Sequence, residues 1–232
     1  MYYDLKRKFG KYAIHNLALY ATVAFAAGYL MISTRAGYDL YVRWLSFFPR
    51  EVLHGQVWRI VTTLLYPPFA GSGLLWAMLG IYIYYNFASF VEQTMGEFEF
   101  NLYFFASFLC GELGVILYYL LTGVNAPFLP VYTQFSVFMA FAIMYPDLRV
   151  LLFFLLPVKA KYFAWFEVAV YLWNFVTGDL YQKITIAAAF VPIILFWQFV
   201  SKSRGGSGNV ITDLKDKLRQ EKRRREWRDQ WR

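Results

Sequence analysis

The chain has 232 residues, of which 59% are hydrophobic and 22% aromatic, with a mean hydropathy of +0.39. This composition excludes an ordinary soluble domain, whose surface must be largely polar, and predicts a membrane protein. The net charge of +8 comes from clustered lysines and arginines, which favours contact with a membrane surface over nucleic acid. A single cysteine, Cys110, excludes a disulfide framework and a thiolate metal site, and we expect no cofactor.

The chain begins with a basic arm, residues 1–11, ahead of a first apolar stretch. That stretch runs for about twenty residues without a clear cleavage site, so we interpret it as a retained span rather than a signal peptide. Because a helix needs roughly 20 apolar residues to cross a bilayer core, the sequence predicts six transmembrane helices in a membrane domain of residues 12–200. The predicted spans are residues 12–32, 74–91, 100–121, 130–145, 162–176 and 184–200.

About forty residues, 33–71, separate the first two predicted spans. This segment is rich in aromatic side chains, which settle at the headgroup level of a bilayer. We therefore expect a compact loop half embedded in the outer leaflet. Its aromatic residues include Tyr38, Tyr41, Trp44, Phe47, Phe48 and Trp58.

The same loop ends in the sequence GQVWRIVT, residues 55–62. Gly55, Gln56, Trp58, Arg59 and Thr62 resemble the Gly-Gln-x-Trp-Arg-x-x-Thr motif of the rhomboid superfamily, which contains intramembrane serine proteases and inactive relatives. The resemblance implies an all-α bundle of six transmembrane helices with a large half-embedded loop between helices 1 and 2. It also implies that the arginine forms hydrogen bonds within the loop and stiffens it. The alternative is an interfacial arginine that extends to a lipid phosphate.

Two further segments are similar to the family. The second span ends at Glu92, where rhomboid-like proteins also carry a glutamate. The sequence YPDLRVLLFFLLPVKAK, residues 145–161, resembles the linker between the family's fourth and fifth spans. Within it, the apolar run 150–156 is too short to cross a membrane, and we expect it to lie at the interface or to form a half-buried turn.

The residues that carry out the family's chemistry are missing. Active rhomboids have a Gly-x-Ser-Gly nucleophile in the fourth span and a histidine base in the sixth. Here Val131 stands near the serine position, and Ala188 or Phe190 near the histidine position. Trp76 and Gly80 replace the histidine and asparagine that would stabilise an oxyanion. The resemblance therefore implies a pseudoprotease with no catalytic residues.

Ser136 is the one remote candidate for a displaced nucleophile, with Thr133 as a variant. A serine in a membrane helix more often bonds the carbonyl four residues earlier, here that of Tyr132. The two histidines, His15 and His54, fall in the first span and the outer loop, outside the position of the base. They also lack the neighbouring ligands that a metal site needs.

Three of the polar residues within the predicted spans are candidates for a role. Glu112, flanked by Gly111 and Gly114, is expected to face the protein interior, because a carboxylate in the membrane is costly. It is a candidate for either a structural hydrogen bond or contact with a client protein. Asn86 is a weaker candidate of the same kind, since a single amide often joins two helices. Glu167 follows the linker closely and is expected at the cytoplasmic interface.

Charge sets the predicted orientation. With six spans, the arm, the linker and the tail carry four, three and eleven lysines and arginines, against five on the opposite side. The positive-inside rule then places both termini in the cytoplasm. The short loops favour a bacterial cytoplasmic membrane over the endoplasmic reticulum. The tail, residues 201–232, combines a flexible Gly/Ser linker with a basic stretch that binds anionic lipid or a cytoplasmic partner.

The sequence leads to one main functional hypothesis. A rhomboid scaffold without its chemistry would be a non-catalytic membrane protein that binds transmembrane segments of other proteins and influences their folding, traffic or turnover. Its partners would be lipids and transmembrane clients, with no nucleic acid. One alternative is an intramembrane serine endopeptidase with non-standard catalytic residues. A channel or transporter is the weaker alternative, because charged pairs within the spans are few.

Overall fold

A computed structural model describes residues 10–68, 70, 73–152 and 156–205 of the chain. Residues 1–9 of the predicted arm and 206–232 of the predicted tail lie outside the described residues. The chain divides into two compact units, Met1–Ile194 and Leu195–Arg232. The packing described below belongs to the first unit, and of the second unit only the end of its helix is described.

The described residues form nine α-helices and one pair of strands. In chain order these elements are α1 (Leu17–Ile32), α2 (Arg35–Leu40), α3 (Pro49–Leu53), α4 (Arg59–Thr62), α5 (Leu74–Met95), α6 (Glu97–Thr122), α7 (Val131–Met144), β1 (Arg149–Leu152), β2 (Leu156–Lys159), α8 (Ala160–Thr177) and α9 (Leu180–Gly205). Each of the six predicted spans coincides with one of the six longer helices. The three short helices, α2 to α4, lie in the loop between the first two.

Four segments are long and apolar enough to cross a membrane: Gly10–Ile32, Leu74–Met95, Glu97–Thr122 and Leu180–Gln198. This agrees with the prediction of an integral membrane protein. The helix α7 is apolar but has only 14 residues, or roughly 21 Å at 1.5 Å per residue. The helix α8 has 18 residues and is not among the four.

Small residues bring α1 close to its neighbours. Its buried face includes Ala18, Ala21 and Phe25, and the ring of Phe25 meets the edge of Tyr84 on α5 at 5.0 Å. Further along α1, a Cβ on Gly28 would lie 1.7 Å from the carbonyl oxygen of Leu65 in the outer loop. Only glycine permits this approach, so α1 supports both the membrane helix α5 and the loop.

Aromatic rings join α5 to α7. Phe87 lies 4.9 Å from Phe138 and 4.8 Å from Phe141, measured between ring centroids, and Phe90 lies 5.5 Å from Phe141. Without a hydrophobic driving force in lipid, such close packing is one of the main sources of helix association. The short helix α7 is thus held among longer ones.

The outer loop is tied to the segment that connects α6 and α7. The backbone N–H of Phe128 donates to the carbonyl of Phe47 at 2.9 Å. Asn125 accepts from the backbone N–H of Arg50 at 3.1 Å and donates to the carboxylate of Glu51 at 3.0 Å. These bonds join two loops that are distant in sequence into one outer layer.

The linker between α7 and α8 contains a β-hairpin, which the sequence did not predict, and the interfacial position expected for residues 150–156 stays a prediction. Strands β1 and β2 are antiparallel, with Arg149 opposite Lys159 and Leu152 opposite Leu156. β-branched and apolar residues on both sides of a short connection favour paired strands. At its base, Lys161 and Lys159 bond Asp147 at 2.9 and 3.4 Å.

Candidate functional site: the outer-loop motif and the buried serine

The segment after α2 ends in carbonyl groups that need partners. A π-helical turn, Tyr41–Leu45, continues α2, and the backbone then becomes extended at Ser46. The last carbonyls of any helix have no N–H group ahead of them to bind. Here the four consecutive carbonyls of residues 43–46 accept hydrogen bonds from side chains instead.

Two of these carbonyls are bound by the side chains of Trp58 and Thr62. The indole N–H of Trp58 donates to the carbonyl of Trp44 at 3.0 Å. The hydroxyl of Thr62 donates to the carbonyl of Leu45 at 2.7 Å. These motif residues therefore cap the end of the helical segment from the side.

Arg59 binds the other two carbonyls. It is only 2% exposed, and its guanidinium donates to the carbonyl of Ser46 at 2.5 Å and to that of Arg43. The Nε–H donates to the side-chain oxygen of Gln56 at 2.7 Å, which orients the guanidinium. Burial lowers the pKa of Arg59 below its usual value, while the charge of Glu51 raises it. The side chains of Trp58, Arg59 and Thr62 thus donate hydrogen bonds to four successive backbone carbonyls. Gln56 holds the guanidinium of Arg59 in place.

The expected stiffening by Arg59 within the loop matches this geometry. Gly55, the first residue of the motif, has φ 101°, a conformation that side chains disfavour. Beside the motif lies an open cavity of about 420 Å³, lined by Arg43, Trp44, Phe48, Glu51, Gln56 and Arg59. Arg43 and Trp44 are exposed there, whereas the guanidinium of Arg59 is hydrogen-bonded to two backbone carbonyls and to Gln56.

Glu92 holds the start of α1. Its two carboxylate oxygens accept the backbone N–H groups of Leu17 and Ala18 at 2.7 and 3.0 Å. Asn101 accepts from the N–H of Ile14 and donates to its carbonyl, both at 3.0 Å. The first N–H groups of a helix have no internal partner, so a buried carboxylate is a strong cap for them. Both motif segments named by the resemblance are therefore structural clamps.

Ser136 is buried and already bonded. It is 0% exposed, and its hydroxyl donates to the carbonyl of Thr133 at 2.6 Å, not to that of Tyr132 as expected from the sequence. The hydroxyl of Ser107 lies 3.4 Å away, and Tyr103 donates to the carbonyl of Ser136 at 2.7 Å. The alternative nucleophile Thr133 likewise donates to a carbonyl of its own helix. Ser136 is thus a packed helix contact.

The histidines lie away from this serine in exposed positions. His15 pairs with Glu97, and Nδ1 of His54 lies 2.6 Å from the carbonyl of Arg50. Neither contacts Ser136. A serine without an adjacent base is a weak nucleophile at neutral pH.

The four positions that replace family residues do not form one cluster of polar side chains. Trp76 is exposed in the first turn of α5, and Val131 is exposed at the start of α7. Gly80 is buried on α5, and a Cβ on Gly114 would lie 2.8 Å from that of Ala188. The position expected for the histidine base is therefore occupied by a small residue in a helix contact.

Glu112 and Glu167 lie inside the protein. Glu112 is 3% exposed, as expected, and its Oε1 has no hydrogen-bond partner among the residues that the structure describes. Glu167 is also buried and accepts from Tyr171 at 2.8 Å. The side chain of Glu167 points to the protein side of α8, and its expected depth at the cytoplasmic interface stays a prediction. Asn86 is exposed and donates to the carbonyl of Tyr82 at 2.7 Å.

Sequence reasoning missed two polar residues that join elements. Asn101 is described above, and Gln134 donates from α7 to the carbonyl of Tyr66 in the outer loop at 2.5 Å. The only signal was an amide within an apolar stretch, which is typical of a helix contact in membranes.

In the described part of the chain, no group of three or more His, Cys, Asp or Glu side chains could hold a metal ion. Comparison with protein-family models, curated proteins and solved structures finds no match to this chain.

Proposed function

We propose that this protein is a non-catalytic, rhomboid-like membrane protein with six spans, which binds transmembrane segments of other membrane proteins and influences their folding, traffic or turnover. The observation that carries the non-catalytic part is Ser136, whose buried hydroxyl is bonded to its own helix with no imidazole beside it. The clamps formed by Arg59 and Glu92 support the likeness to the rhomboid scaffold, since they occupy the motif positions.

Client binding is supported by helix length and exposed apolar surface. The helix α8 has 18 residues, or roughly 27 Å, which is less than a typical ~30 Å membrane core and favours a thinned bilayer nearby. It also exposes large aromatic side chains along its length: Trp165, Phe166 and Trp173. A transmembrane segment entering from the side would meet this face.

The proposed topology has six spans, with both termini in the cytoplasm. The distribution of lysines and arginines supports this orientation. Single cysteines introduced at Arg50 in the outer loop and at Asp147 in the linker should react with impermeant maleimide from opposite sides of the membrane. Labelling of both from one side would contradict the topology.

A fluorophosphonate probe tests the absence of serine chemistry. We expect no covalent labelling of the wild-type protein in native lipid. Labelling that disappears in Ser136→Ala would replace the proposal by an intramembrane serine endopeptidase with non-standard residues.

Recovery of clients tests the binding activity. Tagged protein purified in mild detergent should retain transmembrane proteins, and Trp173→Ala should reduce their recovery. Leu30→Ala is the matched control, because Leu30 is a large exposed side chain on α1. Equal recovery with both variants would contradict the assignment of the α8 face, and absence of any client with the wild type would contradict the function.

A further inference from the structure

The helix α5 has two different faces. Its buried face consists of Ala77, Gly80, Tyr84, Ala88 and Val91, which pack inside the bundle. The remaining face is uncovered: Leu75 is 76% exposed and Tyr82 is 55% exposed. The residues along its centre line are Leu75, Leu79, Tyr82, Asn86, Ser89 and Gln93, all exposed or half-buried. We call this set the α5 stripe.

The spacing of the α5 stripe alternates between four and three residues. At 100° per residue these six positions stay within about 80° of one another around the helix. An alternating 4–3 pattern is the seam of a left-handed helix pair, with one set of positions at Leu79, Asn86 and Gln93. The stripe is therefore arranged for contact with one other helix along its whole length.

The polar content of the stripe is unusual for a surface facing lipid. Asn86 donates one N–H to Tyr82 of its own helix, and Gln93 donates one to Ser89 at 3.0 Å. A side-chain amide has two N–H groups and two acceptor sites. The amide of Asn86 thus keeps hydrogen-bonding capacity that hydrocarbon cannot satisfy, whereas Gln93 lies in the last turn of α5. Asn86 lies near the middle of α5, where this cost is greatest.

We propose that the α5 stripe is a self-association surface, which pairs with the α5 stripe of a second copy of this chain in a parallel, twofold-symmetric contact. All copies of a chain share one orientation in the membrane, so a twofold axis along the membrane normal places each residue opposite its counterpart. Amides are donors and acceptors at once, so Asn86 meets Asn86 and Gln93 meets Gln93 as complementary groups. Any other helix would need its own polar residues seven positions apart.

The inference rests on α5 lying in the membrane and not on client binding. The client face proposed above is on α8, so the two ideas fail separately. A polar residue at a seam position also fixes register, because a shifted pair leaves its amide unmatched. This predicts one defined dimer rather than a range of associations.

Cysteine crosslinking in native membranes tests the contact. In a Cys110→Ala background, Ser89→Cys should form an intermolecular disulfide on oxidation. Ile83→Cys is the control, because Ile83 is exposed on α5 but lies outside the stripe. We expect a dimer band with Ser89→Cys at least several times stronger than with Ile83→Cys. Equal bands, or a disulfide to a different protein in place of the dimer, would overturn the proposal.

Energy transfer between labelled copies in liposomes measures the amide contribution. Diluting the protein in lipid gives its dimer dissociation constant, and Asn86→Leu should raise that constant about threefold, since one membrane amide pair contributes modestly. The double variant with Gln93→Leu should raise it roughly tenfold, and Asn86→Gln should restore most of the affinity. Client recovery should be unchanged. An unchanged dissociation constant in the double variant would contradict the role of the amides.

Discussion

The carboxylate of Glu92, at the end of α5, accepts the backbone N–H of Leu17 at 2.7 Å, although the two residues are 75 positions apart. This bond joins the N-terminus of the first long helix to the C-terminal end of the second. The carboxylate also accepts the N–H of Ala18 at 3.0 Å. One side chain thus sets where α1 begins.

Replacing this carboxylate should weaken the fold. Glu92→Ala leaves two buried N–H groups without acceptors, and we expect the free energy of unfolding to fall by about 2–3 kcal/mol. Hydrogen exchange at Leu17 and Ala18 should accelerate. Glu97→Ala is the control, since its pairing with His15 is largely exposed and should contribute less than about 1 kcal/mol. Equal losses for the two variants would show that Glu92 is not a cap.

Arg59→Lys tests the outer-loop motif. An ammonium cannot reproduce the fork that reaches two carbonyls and Gln56, so we expect a loss of at least about 2 kcal/mol in the free energy of unfolding. Arg50→Lys, at an exposed position, should change it little. Unfolding in detergent with a chemical denaturant gives both values, and similar stability for the two variants would contradict the capping role.

Ser136→Ala should be tolerated. The hydroxyl is bonded within its own helix, and alanine retains the close packing, so we expect a change of less than about 1 kcal/mol in unfolding free energy. Ser136→Val, which adds volume at a fully buried position, is the contrasting variant and should destabilise the protein by about 1–3 kcal/mol. If both changes were harmless, the tight packing around Ser136 would be in doubt.

Glu112 separates a structural role from a client-binding role. Because its Oε1 lacks a partner among the described residues, Glu112→Leu should stabilise the protein by about 1 kcal/mol. Since Glu112 is buried, client recovery should not change. A loss of clients with normal stability would instead assign the carboxylate to client binding.

The stability of the linker should depend on pH through the ion pairs at the base of the hairpin. Hydrogen bonds from Lys161 and then Lys159 lower the pKa of Asp147. The pairing therefore stabilises the linker above the ordinary pKa of an aspartate, about 3.9, and is lost as pH falls through the lowered value. Titration of the Asp147 carboxyl by NMR should show this depression, and Lys161→Met should reduce it. A normal pKa in the wild type would contradict the contact.

The positions of the helices could be predicted from the sequence, whereas most contacts between residues could not. Runs of apolar residues determine where helices form in a membrane, so the six predicted segments match α1 and α5 to α9. The resemblance also anticipated the internal bonding of Arg59. The hairpin was missed because a short apolar run between prolines does not reveal its own pairing. The burial of Glu167 was missed because chain position does not tell which side of a helix meets the bundle.

Long-range contacts set the remaining limit. Asn125 and Gln134 look like ordinary loop and helix residues until their partners in the outer loop are known. Nothing in the local sequence specifies a bond across more than sixty positions. The bonds to the carbonyls of residues 43–46 are similar, since these carbonyls are left for side chains only because a π-helical turn ends there.

The hydrogen bonds between the two loops fix the order in which this part of the protein can fold. Arg50 and Glu51 leave the ribosome long before Asn125, which follows them by 75 and 74 positions. Until α6 has been made, the first loop therefore lacks the amide that joins it to the second. The layer that these two loops form is completed only late in folding, however early its first half has been synthesised.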